Sequence, residues 1–228
     1  MKQENKLTFL GKLAAGLAHE LGTPLNVVLG HSKIIQTKAE PDSKIQNSAK
    51  VIESQIIRMT NLVRNMLDYG SPKKPHKQWT NINDIVLSTL QLLEFQCKHL
   101  TIKSGGSPQL AVFVDPNQLL QVLINIIQNA AQAMHSGGLL QIQWSFNEKL
   151  EQSSIVISDN GPGIEPSKLP NIFDPFFTTK EPGAGTGLGL SIAYGIVKEH
   201  NGILKAGNRT NSLKGTEFEV ILPGGQYK

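Results

Sequence analysis

His19 and Glu20 stand side by side in Ala18-His19-Glu20-Leu21-Gly22-Thr23-Pro24, and the pairing can do nucleophilic chemistry. A neutral imidazole, with an ordinary pKa of about 6.5, is nucleophilic and largely unprotonated near neutral pH. A carboxylate that holds one ring N–H leaves the opposite nitrogen free to attack. Thr23, one turn beyond, can position a water, and Pro24 bends the helix behind it. A lone histidine on a polar helix face looks the same and is usually only solvated. The residues further along the chain set this one apart.

Three later segments carry groups suited to a phosphorylated ligand. In Gln118-Leu119-Leu120-Gln121-Val122-Leu123-Ile124-Asn125-Ile126-Ile127-Gln128-Asn129, the two asparagines lie four apart and project from one helix face. Their carbonyls can ligate a hard cation and their NH2 groups can reach phosphate oxygens. Two asparagines on an apolar helix also serve as caps or core hydrogen-bonders. Asp159-Asn160-Gly161-Pro162-Gly163 follows a strand-like run. A carboxylate there can accept the exocyclic amine of a purine, while Gly161 and Gly163 let backbone approach the ring; an ordinary surface turn has the same composition. Gly185-Thr186-Gly187-Leu188-Gly189 opens a helix, where backbone N–H groups can face phosphates. It is not a P-loop, because no Gly-Lys-Ser/Thr follows. Between the last two segments lies a stretch too long for a plain connection and suited to a mobile lid. It holds Phe173, Phe176 and Phe177, which need a surface to pack on, and Lys180, which reads equally as a phosphate contact or a solvated lysine.

The elements that must hold these groups fall into two kinds. From Leu7 to about Ala39, apolar residues keep a seven-residue lattice: Leu7, Ala14, Leu21, Val28 and Ile35, with Leu10 and Leu17. On that lattice His19 faces away from the seam. After Glu40-Pro41-Asp42-Ser43 the lattice resumes as Ala49, Ile56 and Val63, with Ile45, Ile52, Met59 and Met66. Two long helices joined by a tight turn leave one stripe each uncovered, and pairing two such hairpins predicts a homodimer. Gly70-Ser71-Pro72-Lys73-Lys74-Pro75 ends the period and puts a boundary after residue 72. Beyond it the pattern predicts helices near 82–95, 116–134 and 188–200. It predicts strands near 100–103, 111–114, 139–146, 154–158, 203–206 and 217–222. That order is an α+β sandwich and not a doubly wound parallel sheet.

Composition narrows the class. The 228 residues are 39% hydrophobic and 18% charged, enough for a packed core. No stretch reaches the ~18 uninterrupted apolar residues of a membrane span, and the first residues do not lead into a secretory apolar core. The single Cys97 excludes a disulfide framework and suits a cytoplasmic location. The net charge of +4 comes from the first third: residues 1–76 hold 11 Lys/Arg against 6 Asp/Glu, residues 77–228 hold 11 against 12. With aromatics at 6% and no aromatic-interleaved basic run, nucleic acid is not the expected partner.

In this order the motifs closely resemble those of bacterial two-component sensor histidine kinases. His19-Glu20-Leu21-Gly22-Thr23-Pro24-Leu25 is similar to the phospho-acceptor H box, Asn125 to Asn129 to the N box, and Asp159 to Gly163 to the G1 box. Phe173 to Phe177 is similar to the F box, and Gly185 to Gly189 to the G2 box. Gly215-Thr216-Glu217-Phe218 resembles the closing segment, whose Thr lies near adenine.

The resemblance implies an all-α two-helix hairpin over 1–72, a four-helix bundle as a dimer, and an α+β sandwich of the GHKL or Bergerat type over 73–228. It implies ATP and magnesium as cofactors, the metal held by Asn129 with Asn125, adenine read by Asp159, and phosphorylation on His19. The partner it implies is the receiver domain of a response regulator, and the location is cytoplasmic, alone or as part of a longer sensor. Two features depart from the family. Gln132 and Met134 stand where many members carry a basic residue and a Tyr, and no sensor, receiver or membrane segment is recognisable. The strongest rival is a conformational ATPase of the gyrase or chaperone type. Such enzymes carry a water-activating Glu four residues before the metal-binding Asn, where this chain has Asn125. A serine kinase or anti-sigma regulator on the same sandwich leaves the hairpin and His19-Glu20 unexplained.

Overall fold

The computed structural model describes residues 24–41, 43–70, 75–180, 186–209 and 214–227. The chain divides into two compact units, Met1–Lys74 and Pro75–Lys228.

The first unit is a helical hairpin, described from residue 24. Helix α1 covers residues 24–38 and α2 covers Lys44–Gly70. Ser43 starts α2 by accepting the Gln46 N–H on its Oγ at 3.1 Å, the expected work of a serine cap. The helices meet where Ser32 Oγ donates to the Ala49 carbonyl at 2.6 Å and Gln36 Nε2 donates to Glu53 Oε2 at 2.7 Å. Ala49 and Ile56, seven apart, are buried, whereas Val28, Ile35, Ile45, Ile52 and Met59 are all more than 40% exposed. A single chain thus covers one seam and leaves the other open. Among the described residues no helix is long and apolar enough to cross a membrane.

The second unit is a sandwich whose main layer is a five-stranded mixed sheet. The strands of the unit are β1 (Gln78–Asn81), β2 (Leu100–Gly106), β3 (Leu110–Val114), β4 (Gly138–Asn147), β5 (Gln152–Asp159), β6 (Ile203–Asn208), β7 (Thr216–Pro223) and β8 (Gln226–Tyr227). The large sheet runs β2-β4-β5-β7-β6, with β2 parallel to β4 and every other pair antiparallel; β1-β3-β8 form a small antiparallel sheet. Helices α3 (Ile82–Leu92), α4 (Glu94–Cys97), α5 (Pro116–Ala133) and α6 (Gly189–Glu199) complete the unit. Alternation along the strands sends Ile142, Ile157 and Phe218 inward in one register row, and the apolar stripe of α5 joins the same core. Ile157 is 1% exposed. Its truncation to Ala removes buried methylenes from that row and is expected to cost about 3 kcal/mol. Urea titration would show this as a lower midpoint at unchanged slope; a loss under about 1 kcal/mol would contradict the packing described.

Two details differ from the sequence expectation. The helix expected over 82–95 breaks at Leu93, because the bend brings both Leu93 and Cys97 into the core and leaves Leu92 and Phe95 outside. The strands β1 and β8 were not expected; both are short and exist through pairing with β3.

Candidate functional site

Helix α5 orders the site. Its start is fixed by Asp115, whose Oδ1 accepts the N–H groups of Asn117 and Gln118 at 2.9 and 3.2 Å, followed by Pro116 in the first turn. Leu119, Val122, Leu123, Ile126 and Ile127 form the buried stripe, so Asn125 and Asn129 fall on its flank, half-buried.

Three other segments lie along that flank in order. Gly189, at the start of α6, faces Asn125: a Cβ there would sit 3.5 Å from Asn125 Oδ1. Asn125 Nδ2 is itself buried and, among the described residues, has no hydrogen-bond partner. One turn on, Lys180 Nζ donates to Asn129 Oδ1 at 3.1 Å and also to Gln132 Oε1. Burial lowers the Lys180 pKa below the ordinary lysine range. At the end of α5, Gly161 approaches so closely that a Cβ would lie 3.8 Å from the Ala133 Cβ and 3.2 Å from Met134 Cγ. From Asn125 to Ala133 this run spans about 12 Å of helix.

The far end of the run is built on the tip of β5. Asp159 is buried, and its Oδ1 accepts two backbone N–H groups, from Gly161 at 2.8 Å and Thr216 at 3.1 Å. Among the described residues no donor is bound to Oδ2, so this oxygen is the one that can take an amine. Gly215, with φ +138°, leads into β7, and a Cβ there would stand 1.9 Å from the Asp159 carbonyl oxygen, so no other residue fits. Gly163 turns the chain beside Asn208, whose Oδ1 accepts the Ile164 N–H at 2.7 Å.

Of the stretch expected to form a lid, residues up to 180 are described. Phe173 stacks on Tyr194 of α6 with centroids 5.3 Å apart, and Phe177 also packs on the core, while Phe176 is exposed. Phe176 and Gly187 both have positive φ, and the Phe176 N–H donates to the Gly187 carbonyl at 2.9 Å. A Cβ on Gly187 would lie 2.4 Å from the Phe176 carbonyl carbon, which requires glycine there. Leu188 gives α6 no side-chain cap, and among the described residues no side chain caps its first turn, whose N–H groups can face an anion.

The structure therefore brings together Asn125 with Gly189, Asn129 with Lys180, and Asp159 with Gly161 and Thr216. His19, Glu20, Thr23 and Gly185 lie outside the described residues. Sequence reasoning gave no role to three participants, the first of which, Gln132, it noted only as a departure from the family. Gln132 shares Lys180 with Asn129. Arg209 donates from Nη1 to the Asp159 carbonyl and from Nη2 to Gln141 Oε1, each at 3.4 Å; its signal was being the only Arg after residue 76. The third, His200, has its Nε2 accepting the Asp115 N–H at 3.0 Å, and nothing local in the sequence marked it.

Asp115 also accepts the His76 N–H on Oδ2 at 2.8 Å. Burial opposes ionisation of its carboxyl, but the N–H bonds from His76, Gln118 and Asn117 outweigh it, and its pKa lies below the ordinary value. A depressed folded pKa gives stability that is present above the unfolded value of about 3.9 and lost as pH falls through the folded one. Denaturation followed between pH 5 and 2 should therefore show the wild type losing more stability than Asp115→Asn; parallel curves would contradict this.

Residues 9–74 match the His Kinase A (phospho-acceptor) domain, and residues 114–226 match the histidine kinase-, DNA gyrase B- and HSP90-like ATPase family. The sensor histidine kinase ZraS of Salmonella typhimurium is 31% identical over 226 residues, which is 98% of this chain and 48% of ZraS. The chain thus spans about half the length of that relative. The catalytic domain of histidine kinase ThkA superposes with a TM-score of 0.58 at 31% identity, covering 65% of this chain and 95% of that one. ThkA in complex with the response regulator protein TrrA gives a TM-score of 0.70 at 26% identity over 97% of this chain and 64% of that chain. The chain belongs to the sensor histidine kinase family, and it carries both the phospho-acceptor and the ATPase modules of a catalytic core.

Proposed function

We propose that this chain is the catalytic core of a protein-histidine kinase that phosphorylates His19 from ATP and passes the phosphoryl group to an Asp of a response regulator. The observation that carries the reading is the order of groups along one flank of α5. A purine-reading carboxylate, Asp159, stands at one end, and amide, ammonium and helix-terminal N–H groups at the other. That order suits a base at Asp159, Gly161 and Thr216, and phosphates at Asn125, Lys180, Gly187 and Gly189, with Gly163 shaping the turn beside the base and Gly185 in the same glycine segment.

Magnesium fits this donor set. Asn129 Oδ1 and Gln132 Oε1 already converge on a cation, the Lys180 ammonium, so amide oxygens there favour positive charge. Asn129 with Asn125 would hold the metal, which when bound neutralises charge on the phosphate oxygens.

The reaction forms a bond from a His19 ring nitrogen to the γ-phosphorus and breaks the bond to the β–γ bridging oxygen. ADP leaves, and Glu20 takes the proton released by the imidazole. Positioning and charge neutralisation supply most of the rate. In the second step the phosphoryl group moves to a receiver carboxylate; that ThkA forms a complex with the response regulator protein TrrA supports a regulator as the partner. Thr23 positions water when the regulator is dephosphorylated. The open apolar seam of the hairpin, with Val28, Ile35, Ile52 and Met59 exposed, supports a homodimer. Asn125 offers no carboxylate to activate water, which favours transfer over hydrolysis.

The test is sequential. The chain is labelled with γ-phosphate-labelled ATP, freed of nucleotide, and mixed with receiver domains. Loss of label from the chain with gain on a receiver Asp is expected; label that no receiver accepts would overturn the second step.

A further inference from the structure

His200 is a buried titratable group with no part in the chemistry above. It is 4% exposed, one residue past the end of α6, and both ring nitrogens are engaged. Nδ1 lies 2.9 Å from the Ile196 carbonyl, to which it donates, so Nε2 carries no proton and accepts the Asp115 N–H at 3.0 Å. Asp115 is the cap of α5, itself 7% exposed. The end of α6 is thereby bonded to the start of α5. At the other end of the pair, Gly189 opens α6 against Asn125 in the middle of α5. The helices run antiparallel, and the same two helices carry the amide groups and the first-turn N–H groups assigned to the phosphates.

We propose that His200 is a positioning residue for the phosphate end of the site. By accepting the Asp115 N–H it fixes the axial register of α6 on α5 and so holds the first turn of α6 opposite Asn125. A slide of one residue would move Gly189 by about 1.5 Å, and a side chain in its place would meet Asn125. The adenine end takes no part in this bond: Asp159, Gly161 and Thr216 belong to β5, β7 and the turn after β5, and Gly161 meets α5 only at its far end, at Ala133 and Met134. The proposal rests on the nucleotide reading of the site, and it separates two halves of the ligand.

Calorimetric titration of the full chain with adenosine and with ADP plus magnesium tests it. Wild type binds both. His200→Leu leaves the Asp115 N–H without an acceptor and weakens ADP about tenfold, the loss of one buried hydrogen bond, while adenosine affinity holds. His200→Gln supplies an amide oxygen to the same N–H and restores ADP affinity. His200→Asn, too short to reach, repeats the leucine result and serves if the leucine variant does not fold. Equal weakening of both ligands would mark a merely structural role, and unchanged ADP binding, or a glutamine variant as weak as leucine, would likewise overturn the proposal. Wild-type chain that binds neither ligand would sink the nucleotide reading itself and this proposal with it, which keeps the two failures apart.

Discussion

Asp159→Asn is expected to weaken ATP binding about 100- to 1,000-fold without unfolding the unit that holds it. The reason lies in how the carboxylate is divided. Its Oδ1 is spent on the N–H groups of Gly161 and Thr216, and an amide oxygen can accept both equally well. The second oxygen becomes an NH2 group, which meets the purine amine donor to donor. Two donors facing each other in a buried site lose the hydrogen bond and leave both groups unsatisfied. A 6-oxo purine presents an acceptor at the same place, so ITP should lose far less affinity, or gain. Equilibrium titration with ATP and ITP reads the ratio directly. If the variant keeps its preference for ATP, Asp159 does not read the base. Arg209 and Gly215, which hold the Asp159 backbone, would be expected to shift both nucleotides together.

His19→Gln is expected to abolish phosphorylation of the chain while ATP still binds. Glutamine keeps polarity and approximate size but has no ring nitrogen to form the N–P bond. The product in wild type should be acid-labile and alkali-stable, as expected of a phosphoramidate. Label that persists in the variant with the same stability would move the acceptor elsewhere. The two substitutions divide the work: one removes the donor's seat, the other the acceptor, and each should leave the other's binding step intact.

Helices α5 and α6 were legible because their cause is local, whereas the break between α3 and α4 at Leu93 was not. In α5 the apolar residues 119, 122, 123, 126 and 127 mark one face, and Asp115-Pro116 announces the start. The strands of the large sheet were legible for the same reason, since Ile155 and Ile157 or Phe218 and Val220 alternate on sight. What escaped depends on distant partners. Gln78-Trp79-Thr80-Asn81 has no strand pattern of its own and becomes β1 only by pairing with β3, where Trp79 sits opposite Phe113. The parallel pairing of β2 with β4 and the stacking of Phe173 on Tyr194 are likewise long-range.

Within the site, the asparagines, Asp159 and the glycines announced themselves by spacing, and the structure adds which meets which. Lys180 read equally as solvated; its bonds to Asn129 and Gln132 support the phosphate contact proposed for it. His200 and Arg209 act through backbone groups of other segments, and no pattern near them in the chain records that.

The most direct measurement incubates the wild-type chain with magnesium and γ-phosphate-labelled ATP, then locates the phosphoryl group by mass spectrometry under neutral, cold conditions that spare N–P bonds. The account predicts one modified residue, His19, with ADP formed in step with it. ADP and free phosphate without any phosphorylated residue would contradict it and place the chain with the hydrolytic ATPases that share its sandwich.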